Sequence, residues 1–138
     1  MSNATKPVVL YVDNNSRRLL ARRFDLSIAG YDVLPAISGA AAWRLFRRRP
    51  VDLVITDHRL PGISGTEVTA YIKDLKHEVP VILLIEGRKA PPGAGRADLV
   101  LAKDTDLEEL LTQAEKLLRR RQLPPPPPPS RAKGKGSA

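Results

Sequence analysis

VDLVITDHRLPGISG, Val51 to Gly65, is the stretch from which the rest of the chain can be read. Its apolar residues Val51, Leu53, Val54 and Ile55 run up to a single carboxylate, Asp57. A polar loop with Pro61 and Gly62 follows, then a helix-start signal at Ser64. A short apolar run closed by turn residues reads as a parallel strand buried on both faces. In open α/β sheets the ligand sits beyond the carboxyl ends of such strands, where the strand order reverses. Asp57 is therefore either a functional group or simply the first polar residue to leave the core.

Working outward, Val8–Val12 is a second apolar run, ending in Asp13-Asn14-Asn15. Ser16 to Ala29 reads as a helix, with Leu20, Phe24 and Ile28 recurring at helical spacing, Arg18 and Arg22 on another face, and Gly30 as its stop. Tyr31 to Leu34 is a short strand. Ser38 caps a helix to about Arg48 with Ala42, Leu45 and Phe46 inward, and Pro50 ends it. Ser64-Gly-Thr-Glu67 is a capping box opening a helix to about Lys76. Val79 to Ile85 is another buried strand.

Glu86 to Asp98, EGRKAPPGAGRAD, stands where α/β alternation asks for a crossover helix. Its prolines and glycines oppose one, so a loop with at most a turn of helix is expected. Leu99 to Ala102 is a fifth strand, ending at Lys103. Thr105-Asp-Leu-Glu108 is a second capping box, opening an amphipathic helix with Leu107, Leu110, Leu111, Ala114, Leu117 and Leu118 on one face. Arg119, Arg120 and Arg121 end that helix, where the macrodipole favours cations.

Five strands alternating with helices give a parallel sheet covered on both faces, with strand order 2-1-3-4-5. That order gathers Asp13, Asn14, Asp57, the Ile85-Glu86 end of the fourth strand, and Lys103 around one crevice. Two carboxylates and an ammonium there fit Mg2+ and a phosphoryl group, with Asp57 as nucleophile. The same residues equally fit an Asp13–Lys103–Asp57 ion-pair network that only closes the end of the sheet. Geometry leaves both readings open.

The chain has 138 residues, enough for one domain with a core and a tail. It has no cysteine, which excludes disulfides and thiolate metal sites and suits a cytoplasmic protein. No apolar run approaches a membrane span, and residues 1–6 carry no signal-peptide core. The formal charge is +8, of which Arg131, Lys133 and Lys135 supply three in a tail without acids. The body's remaining excess reads as a solvated basic surface, with nucleic-acid binding a secondary reading. Pro124 to Pro129 reads as a polyproline II spacer and Ser130 to Ala138 as a disordered tail.

VVLYVDNN, GYDVLPAISGAAAWRLF, VDLVITDHRLPGISGTEV, VPVILLI and ADLVLAKDTDLEELL, in that order, resemble a bacterial two-component response-regulator receiver domain. The resemblance spans about residues 7–121, leaving 122–138 as a polyproline linker and basic tail. It implies a flavodoxin-like fold, and phosphorylation of Asp57 by a histidine kinase or phosphotransfer protein. It implies Mg2+ held by Asp13, the residue after it (Asn14), Asp57 and the Arg59 backbone carbonyl, with Lys103 on the phosphoryl group. No enzymatic activity is expected beyond accepting a phosphoryl group and losing it again. With no output domain in the sequence, output is expected through contact with another, unnamed protein.

Five residues depart from the family pattern. Asn14 replaces a second acid, which weakens Mg2+. Ile85 replaces a hydroxyl that binds phosphoryl oxygen, and Glu86 a small residue. Val100 replaces the aromatic switch, and Asp104 a proline. All lie on the route from phosphoryl group to output surface, so a pseudo-receiver acting as a phosphorylation-independent interaction module is the competing expectation. A flavodoxin would need a hydroxyl- and glycine-rich phosphate loop after strand one. A haloacid-dehalogenase-like phosphatase would need an acid where Arg59 stands. Of the lone residues, exposed His58 and helix-end His77 are expected to be incidental, and Trp43 to pack in the core.

Overall fold

The computed structural model describes residues 6–122. The polyproline and tail readings fall outside the described residues. The strands are β1 (Val8–Val12), β2 (Asp32–Ala36), β3 (Leu53–Asp57), β4 (Val81–Ile85) and β5 (Leu99–Ala102). The helices are α1 (Ser16–Ile28), α2 (Gly39–Arg48), α3 (Gly65–Leu75) and α4 (Leu107–Gln122). All neighbouring strands are parallel, in the order β2-β1-β3-β4-β5. The architecture is the expected one.

Alternate residues of the central strands feed two cores, as a pleated strand requires. Val9, Tyr11, Leu53, Ile55, Ile82 and Leu84 face α1 and α4, where Leu26, Leu110 and Ala114 close the layer. Leu10, Val12, Val54 and Val81 face α2 and α3, against Ala42, Phe46, Val68 and Ile72. Trp43 packs between these two helices, its ring 6.3 Å from Phe46 and 5.5 Å from Tyr71. Between β4 and β5 the crossover holds only a three-residue 3-10 turn, Ala94–Arg96. Its Ala94 seals Leu83, Ile85 and Val100 on that side of the sheet.

Two local expectations need correction. In α1 the buried residues are Leu19 and Leu26, while Leu20, Phe24 and Ile28 are 66%, 65% and 71% exposed. The apolar stripe at helical spacing is thus the one that faces outward. The last helix begins at Leu107 and is capped by Asp106, whose Oδ1 accepts the Glu109 N–H at 2.8 Å. Thr105 lies one residue too early to cap it. The Ser64–Glu67 capping box forms as expected.

Candidate functional site

The carboxyl ends of β1 and β3 lie side by side in the sheet, Val12 beside Thr56. Asp13 follows β1 and Asp57 closes β3, so both carboxylates enter one buried corner. Lys103 arrives from the end of β5, its backbone N–H bonded to the Ile85 carbonyl at 2.7 Å. The loop after Asp57 is drawn tight. Gly65 donates its N–H to the His58 carbonyl at 2.8 Å, and a Cβ on Gly65 would stand 2.0 Å from the Asp57 backbone oxygen. Only glycine lets α3 start this close to the strand end.

Asp57 and Lys103 meet as expected, with Lys103 Nζ 3.0 Å from Asp57 Oδ2. The ammonium makes a charge contact, not an aligned hydrogen bond, and neither oxygen of Asp57 accepts a hydrogen bond. Burial pushes the Asp57 carboxyl up to about 6, the Asp13 charge adds to this, and Lys103 opposes it. Asp13 is treated differently. Its Oδ1 accepts the Asn15 N–H at 2.9 Å, and burial, which alone would raise its pKa, is overruled by hydrogen bonds from Arg18 and Asn15. Its carboxyl therefore titrates below the ordinary value.

Arg18 is the residue that sequence reading did not bring to the site. Its Nε donates to Asp13 Oδ2 at 2.5 Å and its Nη2 to Asp13 Oδ1 at 3.1 Å. The same Nη2 lies 3.9 Å from Asp57 Oδ2. One signal for it was available. Arg18 sits in the first turn of α1, a turn without any acidic residue, although helix N-termini favour anions. A cation there needs a carboxylate elsewhere to compensate it, and Asp13 stands five residues earlier.

Asn14 is exposed beside Asp13. Arg59 is exposed, with its guanidinium 3.8 Å from Glu86, and Glu86 is also 3.9 Å from Lys103. Ile85 is buried, with Val100 packed against the same cluster, so no hydroxyl or ring reaches the site from either position. His58 is half-buried, not exposed, with its Nδ1 buried and without a hydrogen-bond partner. Beside Asp57 a crevice of about 180 Å³ opens, lined by His58, Arg59, Glu86 and Lys103 among others. A small anionic group has room there.

A divalent ion does not fit the donor set as it stands. Asp57 offers two unbonded oxygens, but both oxygens of Asp13 are engaged by the Arg18 fork and the Asn15 amide. Among the described residues no group of three or more His, Cys, Asp or Glu side chains gathers to hold a metal. Asn14 adds only a neutral amide.

Residues 9–115 match the response regulator receiver domain family. The transcriptional regulatory protein PrrA of Mycobacterium tuberculosis is 33% identical over 124 residues, covering 86% of this chain and 53% of PrrA. KdpE of the same species is 32% identical over 117 residues, covering 82% of this chain and 51% of KdpE. The chain thus spans about half the length of these relatives. Among solved structures, a receiver domain protein from Clostridium thermocellum superposes with a TM-score of 0.78 at 28% identity, over 84% of this chain and 97% of that one. The response regulator TrrA of Thermotoga maritima, solved in complex with Mg(2+)-BeF, gives 0.76 at 30% identity, over 80% and 98%.

Proposed function

The chain belongs to the response regulator receiver domain family, the phosphorelay module of two-component signalling, and on that premise we propose that Asp57 is its phosphoacceptor. The observation that carries this is the Asp57 carboxylate itself. It is buried at the end of β3, both oxygens are without hydrogen bonds, and the Lys103 ammonium lies 3.0 Å away. A buried carboxylate held chiefly by charge contacts has a raised pKa, and such perturbed groups cluster at working sites.

In the proposed step an Asp57 oxygen attacks the phosphorus of a phosphohistidine on a kinase or phosphotransfer protein. The new O–P bond forms as the P–N bond breaks, and the imidazole leaves with its electron pair and is reprotonated by water. Lys103 offers a point charge to the phosphoryl oxygens, and Arg18 holds Asp13 neutralised beside them. The chain acts as acceptor, and hydrolysis of the acyl phosphate by water returns free Asp57. The receiver unit is assigned to residues 7–121.

A second reading, a protein-interaction module that works without phosphorylation, draws on Ile85 and Val100. Both are packed in an apolar cluster and offer no group to sense a phosphoryl oxygen. A nucleic-acid role draws less support, since Arg119 pairs with Glu115 at 3.2 Å and Arg121 with Asp52 at 2.9 Å. No helix among the described residues is long and apolar enough to cross a membrane. Intact-mass measurement after treatment with acetyl phosphate and Mg2+ tests the assignment. The native chain should gain one phosphoryl group and Asp57→Asn none; no gain in the native chain, or equal gain in both, would falsify it.

A further inference from the structure

We infer that Arg18 is the resident cation of the acidic corner, holding the place between Asp13 and Asp57 so that a divalent ion binds only by displacing it. The inference rests on reading this corner as a receiver's acidic site, but it does not require that Asp57 ever takes a phosphoryl group.

Three observations carry it. The first is the geometry of the fork. Nε and Nη2 of one guanidinium grip the two oxygens of Asp13 at 2.5 and 3.1 Å, and Nη2 reaches within 3.9 Å of Asp57. A planar guanidinium matches a carboxylate in this bidentate way, and it stays protonated at any pH a folded protein meets. The second is the charge balance. Asp13 and Asp57 are matched by Arg18 and Lys103, Glu86 beside Lys103 is matched by Arg59, and Asn14 adds no charge. A dication entering that set would face a neutral corner instead of an anionic one. Removing the Arg18 charge leaves a net negative corner that attracts a cation.

The third is the position of Arg18 in its helix. The first turn of α1 contains no acid, and Arg18 donates its own backbone N–H to the Asn15 cap at 2.9 Å. The side chain therefore starts from the positive end of the helix, where a cation is disfavoured. What holds it there is the pair of carboxylates. The Arg18 side chain is 39% exposed at the mouth of an open cleft that also reaches Lys103 and Glu86. It has room to swing out, so the block is a competition and not a wall.

The test is divalent-ion binding by the full chain, with Mn2+ as a probe counted by its electron paramagnetic resonance signal. Arg18→Met should bind one Mn2+ roughly tenfold tighter than the native chain, or better, as expected for deleting a unit charge that lies 2.5 to 3.9 Å from the carboxylate oxygens. Adding Asp13→Asn to Arg18→Met should abolish the gain. Equal binding by native chain and Arg18→Met, or a gain that survives Asp13→Asn, overturns the inference. A measurement on the native chain alone does not depend on the variant folding. Because Mg2+ must first displace Arg18, the native chain's melting temperature should be unmoved by low, roughly submillimolar Mg2+ at constant ionic strength, and a Mg2+-specific rise there would overturn the inference too. Tighter Mn2+ binding by Arg18→Met without phosphoryl uptake by either chain would sink the phosphoacceptor assignment and leave this one standing.

Discussion

Asp57 is a carboxylate kept at a cost. In the folded chain its pKa is pushed up to about 6 from an ordinary 3.8, first by burial and then by the Asp13 charge. Between about pH 4 and pH 6 the folded state therefore holds more protons than the unfolded one, and stability falls as pH rises through that window. Above it the penalty is fully present. Asp13 works in the opposite sense, its carboxyl held below the ordinary value, so its contribution is present at neutral pH and lost on strong acidification. Asp57→Asn should raise unfolding stability at pH 7.5 by about 1–3 kcal/mol, and the gain should fall to roughly a third of that near pH 4.5, vanishing only below the ordinary carboxylate pKa. Urea denaturation at the two pH values checks it, and a variant less stable than native at pH 7.5 would show that the Lys103 pair outweighs burial. At this scale the sequence was half legible. A carboxylate ending an apolar run and a lysine ending the fifth strand announce themselves, because strand ends are fixed by the apolar pattern. Arg18 did not, because its role depends on a fork reaching back across a helix cap, and side-chain direction has no periodic signature.

The helices show where periodicity is sufficient and where it is not. In α4 every inward leucine follows the helical repeat, and Leu110, Ala114, Leu117 and Leu118 are buried as that repeat requires. In α1 two stripes compete. Leu20, Phe24 and Ile28 form the more regular one, yet Leu19 and Leu26 are the buried pair, with half-buried Arg22 between them pairing with Asp25 at 3.7 Å. An arginine on the inward stripe hides it from a hydrophobicity count, since its stem can lie along apolar surface while the head stays wet. The same ambiguity moved the α4 cap, because Thr105 and Asp106 both carry a cap-competent oxygen and only the helix start decides between them. Stability should follow the structure and not the pattern. Leu26→Ala is expected to cost about 2–5 kcal/mol and Phe24→Ala to stay within about 0.5 kcal/mol. Chemical denaturation of both variants is the check; a Phe24 loss as large as that of Leu26 would mean that the outward stripe is covered in solution.

Across the whole molecule four aspartates stand in pairs at the two ends of the sheet. Asp13 and Asp57 crowd the carboxyl end, where burial and the neighbouring charge work against stability at Asp57 while Arg18 and Asn15 make Asp13 stabilising. At the amino end Asp52 and Asp98 each precede a strand and close a reciprocal pair with the neighbouring strand. Asp52 donates its N–H to the Val8 carbonyl and accepts the Val8 N–H on Oδ2, both at 2.8 Å. Asp98 does the same with Val81, at 2.9 and 2.8 Å. A cation from a helix then fixes each carboxylate: Arg121 of α4 on Asp52 at 2.9 Å, and Lys73 of α3 on Asp98 at 2.5 Å. One tie belongs to each helical layer. The motif is visible in the chain as VDLV at residues 51–54 and ADLV at residues 97–100, although its partners are not, since they come from distant elements. Asp52→Ala and Asp98→Ala should each cost about 1–3 kcal/mol, by orphaning a strand N–H and a cation. Since β4 lies between β3 and β5, the two sites stand roughly two strand spacings, or about 10 Å, apart, and the double variant should be additive within about 0.5 kcal/mol. Phosphoryl uptake at Asp57 should remain at the native level in both, because neither tie touches the carboxyl end. Urea denaturation paired with intact-mass measurement decides it: losses below about 0.5 kcal/mol would deny the ties their role, and a parallel fall in phosphoryl uptake would mean that the two ends of the sheet are not independent.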